Sequence, residues 1–375
     1  MIFTKLFLFD KGRFILYILM EETTNFPGGN HRLFILKDKE VEALYRLPQF
    51  TDREKADYFT LEEEEMALLV LFRTVISKIF FILQLGYFKA RKKFFGAQLV
   101  LAQEDLGYLA SRYFPQLSLQ PREMTVSKPT RLQAQAVILE ITGYRLCKGK
   151  IKKAFLEKAR AVAAIHTKPI FVIRELFNYL EGHKIVAPAY SVLQDIVGNA
   201  LGECFLQMER YTDQFLSDSH KQVLDELLSQ KESLYALTLL KAEPKDFSLK
   251  EMLREIQYQG LLSNIYLKVK ELVKGLTLSA ENTKYYASLV DYYSVYKIKR
   301  MEQKTIRFLL CCFVYHRYLK LHDYLINAFI FTLSKYVKEA KAMAVERVYQ
   351  LNADRSEHLK QAGQVLALFL DDNIG

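Results

Sequence analysis

The chain has 375 residues, half of them apolar, and a formal charge of +10, enough for real cores and for more than one domain. Only 15 glycines and 8 prolines interrupt abundant helix formers, a composition that points to an all-α protein. Cys147, Cys204, Cys311 and Cys312 form no C-x-x-C pair, so the spacing suggests neither a zinc ribbon nor a disulfide framework and fits a reducing, cytoplasmic setting.

The charge is unevenly distributed. Residues 66–103, 128–174 and 284–320 carry net charges of +6, +9 and +6, so the remainder of the chain is acidic. Basic surface concentrated in this way suits a polyanion partner.

Residues 1–22, MIFTKLFLFDKGRFILYILMEE, look superficially like a signal peptide. Asp10, Lys11 and Arg13 interrupt the apolar stretch and no small-residue cleavage site follows, so an extension upstream of a start near Met20 is the competing reading. NFPGGNH (25–31) then marks a loop.

Thr60 and Glu63 read as a capping box that places Glu62 to Glu65 in the first turn of a helix. The apolar run 66–88 continues it and is nearly long enough to span a bilayer. Arg73 and Lys78 near its middle argue against that, since each costs about 2.5–3.5 kcal/mol at a membrane centre. Arg73, Ser77 and Gln84 share one face, while Leu69, Phe72, Ile76, Ile79, Phe80 and Leu83 line the other, so the spacing predicts a mostly buried helix. It ends in LGYFKARKKFF (85–95), where Lys89, Arg91, Lys92 and Lys93 sit between two pairs of aromatics. Complementing the negative end of a helix and gripping a phosphate backbone both account for that pattern.

Further boxes at Thr51–Glu54, Thr130–Gln133, Ser191–Gln194, Ser219–Gln222 and Ser248–Glu251 each precede an apolar-periodic segment. The polar stretches 115–130 and 241–251 read as linkers. Pro169 to Gly182 and the helix opened by Ser191 form a helix-turn-helix shape, though with a longer connection than usual. Tyr285, Leu289, Tyr292 and Tyr296 fall on one helical face, ordinarily a core stripe.

Catalytic signatures are missing. No phosphate-binding glycine loop, H-E-x-x-H or G-x-S-x-G occurs, and His316 and His322 are six apart, on different helix faces. No cofactor is expected.

The strings LPQFTDREKADYFTL (47–61), FILQLGYFKARKKFF (81–95), VSKPTRLQAQAVILEITGYR (126–145) and LFNYLEGHKIVAPAYSVLQDIV (176–197) resemble the N-terminal part of the transposases of Tn-three family replicative transposons. So do EPKDFSLKEMLREI (243–256), YYASLVDYYSVYKIKR (285–300) and QAGQVLALFLDDNI (361–374); residues 1–40 fall outside the resemblance. In that family this region, catalogued in part as a domain of unknown function, is associated with recognising the terminal inverted repeats. The DDE catalytic domain lies beyond it, so the resemblance implies DNA binding without catalysis.

The expected organisation is therefore an extension (1–40), two helical DNA-binding subdomains with helix-turn-helix-like units (41–125 and 126–242) and a helical linker or dimerisation region (243–375). The expected DNA contacts are Lys89, Arg91, Lys92 and Lys93; then Lys128, Thr130, Arg131, Arg145, Lys148, Lys150, Lys152 and Lys153; then Tyr190, Ser191 and Gln194. Double-stranded repeat DNA is the expected partner, with a second copy and a separately encoded catalytic half as further ones. The competing classes are a dimerising structural protein and a basic protein on anionic lipid through residues 1–20 and 85–95.

Overall fold

The computed structural model describes residues 32–96, 102–116, 126–231 and 234–371. The signal-like residues 1–22, the expected loop 25–31 and residues 117–125 of the first expected linker lie outside them, while the second expected linker, 241–251, lies within them. Within the described residues the protein is all-α, with fifteen α-helices and two short strand pairs. The chain divides into two compact units, residues 1–207 and 208–375.

The first unit contains α1 (Asp38–Tyr45), α2 (Asp52–Phe59), α3 (Glu63–Ala67), α4 (Val75–Arg91) and α5 (Gln103–Tyr113). Then follow α6 (Lys128–Thr142), strand β1 (Arg145–Leu146), α7 (Gly149–Ile165), α8 (Pro169–Gly182), strand β2 (Ile185–Val186) and the start of α9 (Tyr190–Phe215). β1 and β2 pair in parallel, Arg145 beside Ile185 and Leu146 beside Val186.

The centre of this unit is α4. Every residue from Ile79 to Phe88 is buried, so the helix is enclosed on all sides. The polar face expected from Ser77 and Gln84 is buried too, and it is satisfied internally. Gln84 donates from Nε2 to Phe95 O at 3.3 Å and accepts from Phe95 N at 3.4 Å, folding the chain back over the helix. Gly86 lets α2 approach, since a Cβ there would collide with the Phe59 ring. The same hydrophobic cluster takes in Phe59, Leu85 and Leu109 together with Ala134, Ile138 and Val186. One core thus crosses the 125/126 boundary drawn from the sequence.

Residues 66–88 are not one helix. α3 ends at Ala67, a 3₁₀ turn covers Leu68–Leu71, and Thr74 opens α4 by accepting from Ser77 N at 3.2 Å. Thr60 does not cap α3 either. Its hydroxyl donates back to Ala56 O, and Glu65 accepts from Glu62 N at 3.0 Å at the helix start. Thr51 and Ser248 do cap as expected, whereas Ser127 and Ser217 take the roles assigned to Thr130 and Ser219.

The second unit contains the remainder of α9, α10 (Asp218–Glu226), the antiparallel pair β3 (Gln230–Lys231) and β4 (Leu234–Tyr235), and α11 (Ala236–Lys241). α12 (Leu249–Gly275), α13 (Ala280–Tyr292), α14 (Val295–Ile298) and the long α15 (Gln303–Asp371) complete it. α12 and α13 pack along the first half of α15, whose Phe308, Leu310, Cys311 and Cys312 are buried. Burial pushes both thiols well above the ordinary cysteine range, so they are inert packing groups. Arg317 is buried in the same core, 2.7 Å from Glu255 Oε2 and donating to Leu240 O at 2.7 Å. The expected tyrosine stripe is broken where α13 ends at Tyr292. Leu289 is buried, Tyr292 and Tyr296 are each 68% exposed, and Tyr286 and Tyr293 face inward instead.

Candidate nucleic-acid interface

The three basic windows have different fates. In 85–95, Lys89 Nζ lies 2.6 Å from Glu65 Oε2 in a largely buried ion pair. Lys92 takes the left-handed conformation that terminates α4, and its Nζ donates to Lys89 O at 2.9 Å. Burial and Lys89 hold its ammonium below the usual lysine range.

Lys93 turns inward. It is 8% exposed, donates to Leu44 O at 3.0 Å and sits 3.6 Å above the Tyr45 ring. Burial and then Arg91 pull its pKa down to about 8. Of the four cations in this stretch Arg91 alone is exposed with no ion pair or hydrogen bond among the described residues. Lys93 is therefore a packing group and is withdrawn from the expected phosphate contacts.

In 284–320 several charges are already neutralised. Lys304 and Arg307 face Asp213, Arg307 also meets Asp225, Lys320 meets Glu243, and Arg317 meets Glu255.

The middle window differs. β1 leads through a tight loop into α7; Gly143, which ends α6 ahead of β1, and Gly149, at the start of α7, both take left-handed φ values, 68° and 53°. Arg145 is exposed, with its N–H donated to Lys184 O at 2.9 Å in the strand pair. Lys148, Lys150, Lys152 and Lys153 are all exposed at the start of α7, and none joins an ion pair among the described residues. The first turn of α7 contains no acid. Four lysines therefore surround the positive end of a 17-residue helix dipole, an arrangement that attracts anions. Lys128 is exposed at the start of α6, the end of that helix away from β1. Thr130 shares a hydrogen bond with the Ser127 cap at 2.9 Å, and Arg131 is partly buried, its Nε without a hydrogen-bond partner.

The start of α9 does not match its expected role. The helix begins at Tyr190 and its first bonds run to Ala189 O, so Ser191 is inside the first turn rather than capping it. Gln194 neither completes a capping box nor turns outward; its Nε2 donates to Leu33 O at 2.7 Å. The Tyr190 hydroxyl accepts from Ile35 N and Leu36 N at 3.2 and 2.8 Å, and Asp195 holds Arg32 at 2.8 Å. Residues 32–36 are thus tied across this turn, an arrangement with no local sequence signal. Tyr190 and Gln194 are occupied holding the chain's own backbone.

A tighter helix-turn-helix shape exists one element earlier. α7 and α8 pack together and are joined by residues 166–168, the short connection that the motif uses. α8 exposes Phe171, Arg174 and Asn178.

Among the described residues no helix is long and apolar enough to cross a membrane, and no group of three His, Cys, Asp or Glu side chains could hold a metal ion. Residues 35–200 match the family model described as a domain of unknown function, DUF4158. No curated protein matches the chain.

Proposed function

We propose that this chain binds double-stranded DNA as the end-recognising part of a Tn-three-type transposase, with its main phosphate grip at the β1–α7 turn. The observation that carries this reading is the set of exposed lysines, Lys148, Lys150, Lys152 and Lys153, around the positive end of α7, none of which joins an ion pair among the described residues. The co-linear resemblance and the DUF4158 match over residues 35–200 support it. Arg91, Lys128 and Arg145 extend the grip, and α8 rather than α9 is the groove-reading helix of this proposal. Strand cleavage is not assigned to this chain, because no carboxylate here corresponds to the family's catalytic triad.

Binding to repeat duplex measured across salt concentration tests the proposal. Each phosphate contact adds a slope of about −0.9 to log K against log salt. Replacing Lys148, Lys150, Lys152 and Lys153 by Gln flattens the slope by up to about 3.6 and weakens repeat and scrambled duplex alike. An unchanged slope in a folded variant, or binding to anionic liposomes in preference to duplex, refutes it.

A further inference from the structure

We infer that the second half of α15 is a self-association surface that pairs antiparallel with the same helix of a second copy. Residues 333–366 are exposed throughout, including large apolar side chains such as Leu333, Val337, Val348, Leu351, Leu359 and Leu366, 46–64% exposed. From Leu333 to Leu366, apolar or small residues recur at spacings of 4, 3, 4, 4, 3, 4, 4, 3 and 4. Arg355 is the one charged residue among these ten positions. The mean spacing is close to the ~3.6 residues per turn of a straight helix, so the positions form one continuous seam with little supercoiling.

A second copy of the helix is the occupant that the flanking charges favour and this spacing permits. The spacing reads the same in both directions about a point between Tyr349 and Gln350. A two-fold axis through that point sets every seam residue of one copy opposite a seam residue of the other, as a closed isologous interface requires. Val348 then meets Leu351, and Leu333 meets Leu366. Ala340 faces Leu359 and Ala362 faces Val337, small against large, which is how facing layers interdigitate.

Charge agrees with that direction. Arg347 and Asp354 flank the seam on one side, and the antiparallel register places Arg347 of each copy beside Asp354 of the other. Arg355 lies opposite Ala344. A parallel pair would instead stack Arg355 on itself, like charge on like. The seam is ~50 Å long, and a strip ~10 Å wide on each copy gives roughly 1,000 Å² in total, at the threshold of a specific interface. Association at micromolar concentration is expected.

Sedimentation equilibrium on the full chain, with helicity measured in parallel, is the test. The wild type should approach twice the monomer mass at tens of micromolar. Val348→Glu with Leu351→Glu places four carboxylates at the dyad and should weaken association at least tenfold with helix content unchanged. For direction, Leu333→Cys and Leu366→Cys are made separately in a Cys147→Ser, Cys204→Ser background. Mixed together they should form a 333–366 disulfide, while neither variant links to itself. A fully helical monomer overturns the inference, and so does a dimer indifferent to the glutamates or a self-linked Leu333→Cys protein. Protection of residues 333–366 from hydrogen exchange in a monomer also overturns it, by assigning the face to another part of the same chain.

Discussion

Lys93 tests whether the cation-rich end of α4 serves packing or DNA. Its pKa of about 8 lies below the ordinary lysine value of 10.5. Below pH 8 the ammonium is charged in both folded and unfolded chains, and the folded state bears the full desolvation penalty. Between pH 8 and 10.5 the unfolded chain holds more protons than the folded one, so stability rises with pH through that window. Above it both states are neutral and the penalty is gone. The shift sets a ceiling of about 3 kcal/mol, and contact of the ammonium with water reduces the realised change to roughly half of that.

Lys93→Met keeps the stem and removes the titration. At pH 7 relief of desolvation offsets the lost bond to Leu44 O, about 1 kcal/mol, and the lost contact with the Tyr45 ring, leaving stability near that of the wild type. At pH 10.5 no relief remains, and the variant should be less stable by about 1–2 kcal/mol. Urea unfolding of both proteins at the two pH values, read as the difference between them, cancels the other lysines and tyrosines. Parallel pH profiles would refute the buried placement. A salt slope for DNA binding that fell in this variant would return Lys93 to the phosphate contacts.

Two further substitutions probe the same unit. Gln194→Ala removes the bond to Leu33 O and should lower stability by about 1 kcal/mol, with faster amide exchange in residues 32–36 and an unchanged preference for repeat over scrambled duplex; a tenfold loss of that preference would show that Gln194 reads bases after all. Gly86→Ala puts a methyl group into the Phe59 ring and 3.2 Å from Tyr58 O, and should cost about 1–3 kcal/mol despite alanine's better helix propensity; thermal melting that is unchanged or raised would mean that α2 can move aside.

The all-α class was legible from composition and apolar spacing because both average over many residues. Helix starts were less so. Ser or Thr followed three residues later by Glu or Gln occurs at Thr60, Thr130, Ser191 and Ser219, where the backbone donors needing a cap lie elsewhere. At α4, Thr74 caps with Ser77 as its partner, a pair that the search for an acid or amide at the third position passes over. Enclosure of α4 on every side also defeats periodicity, since Gln84 looks like a solvent-facing residue until its partner, the Phe95 backbone, is known. The tie between residues 32–36 and α9 joins groups about 160 positions apart, as in Gln194 to Leu33, and no window along the chain contains both.

The same limit governs the basic windows. Their charge density along the chain is similar, and that density alone nominated all three as polyanion surfaces. What separates them is where the counter-charges and carbonyls lie in three dimensions. The first window ends in a helix terminus whose aromatics must be buried, so Lys89 and Lys93 are carried into pairs with Glu65 and Leu44 O. Much of the third meets acids from elsewhere in its unit, Asp213, Asp225, Glu243 and Glu255. Each pairing removes a cation that could release a counterion from DNA. At the start of α7 no acid is within the first turn, the backbone N–H groups add their own positive end, and the lysines remain exposed. A lysine's value to a polyanion site thus depends on whether an internal partner takes it, and the β1–α7 turn is where exposed lysines without an ion pair among the described residues coincide with the highest local charge.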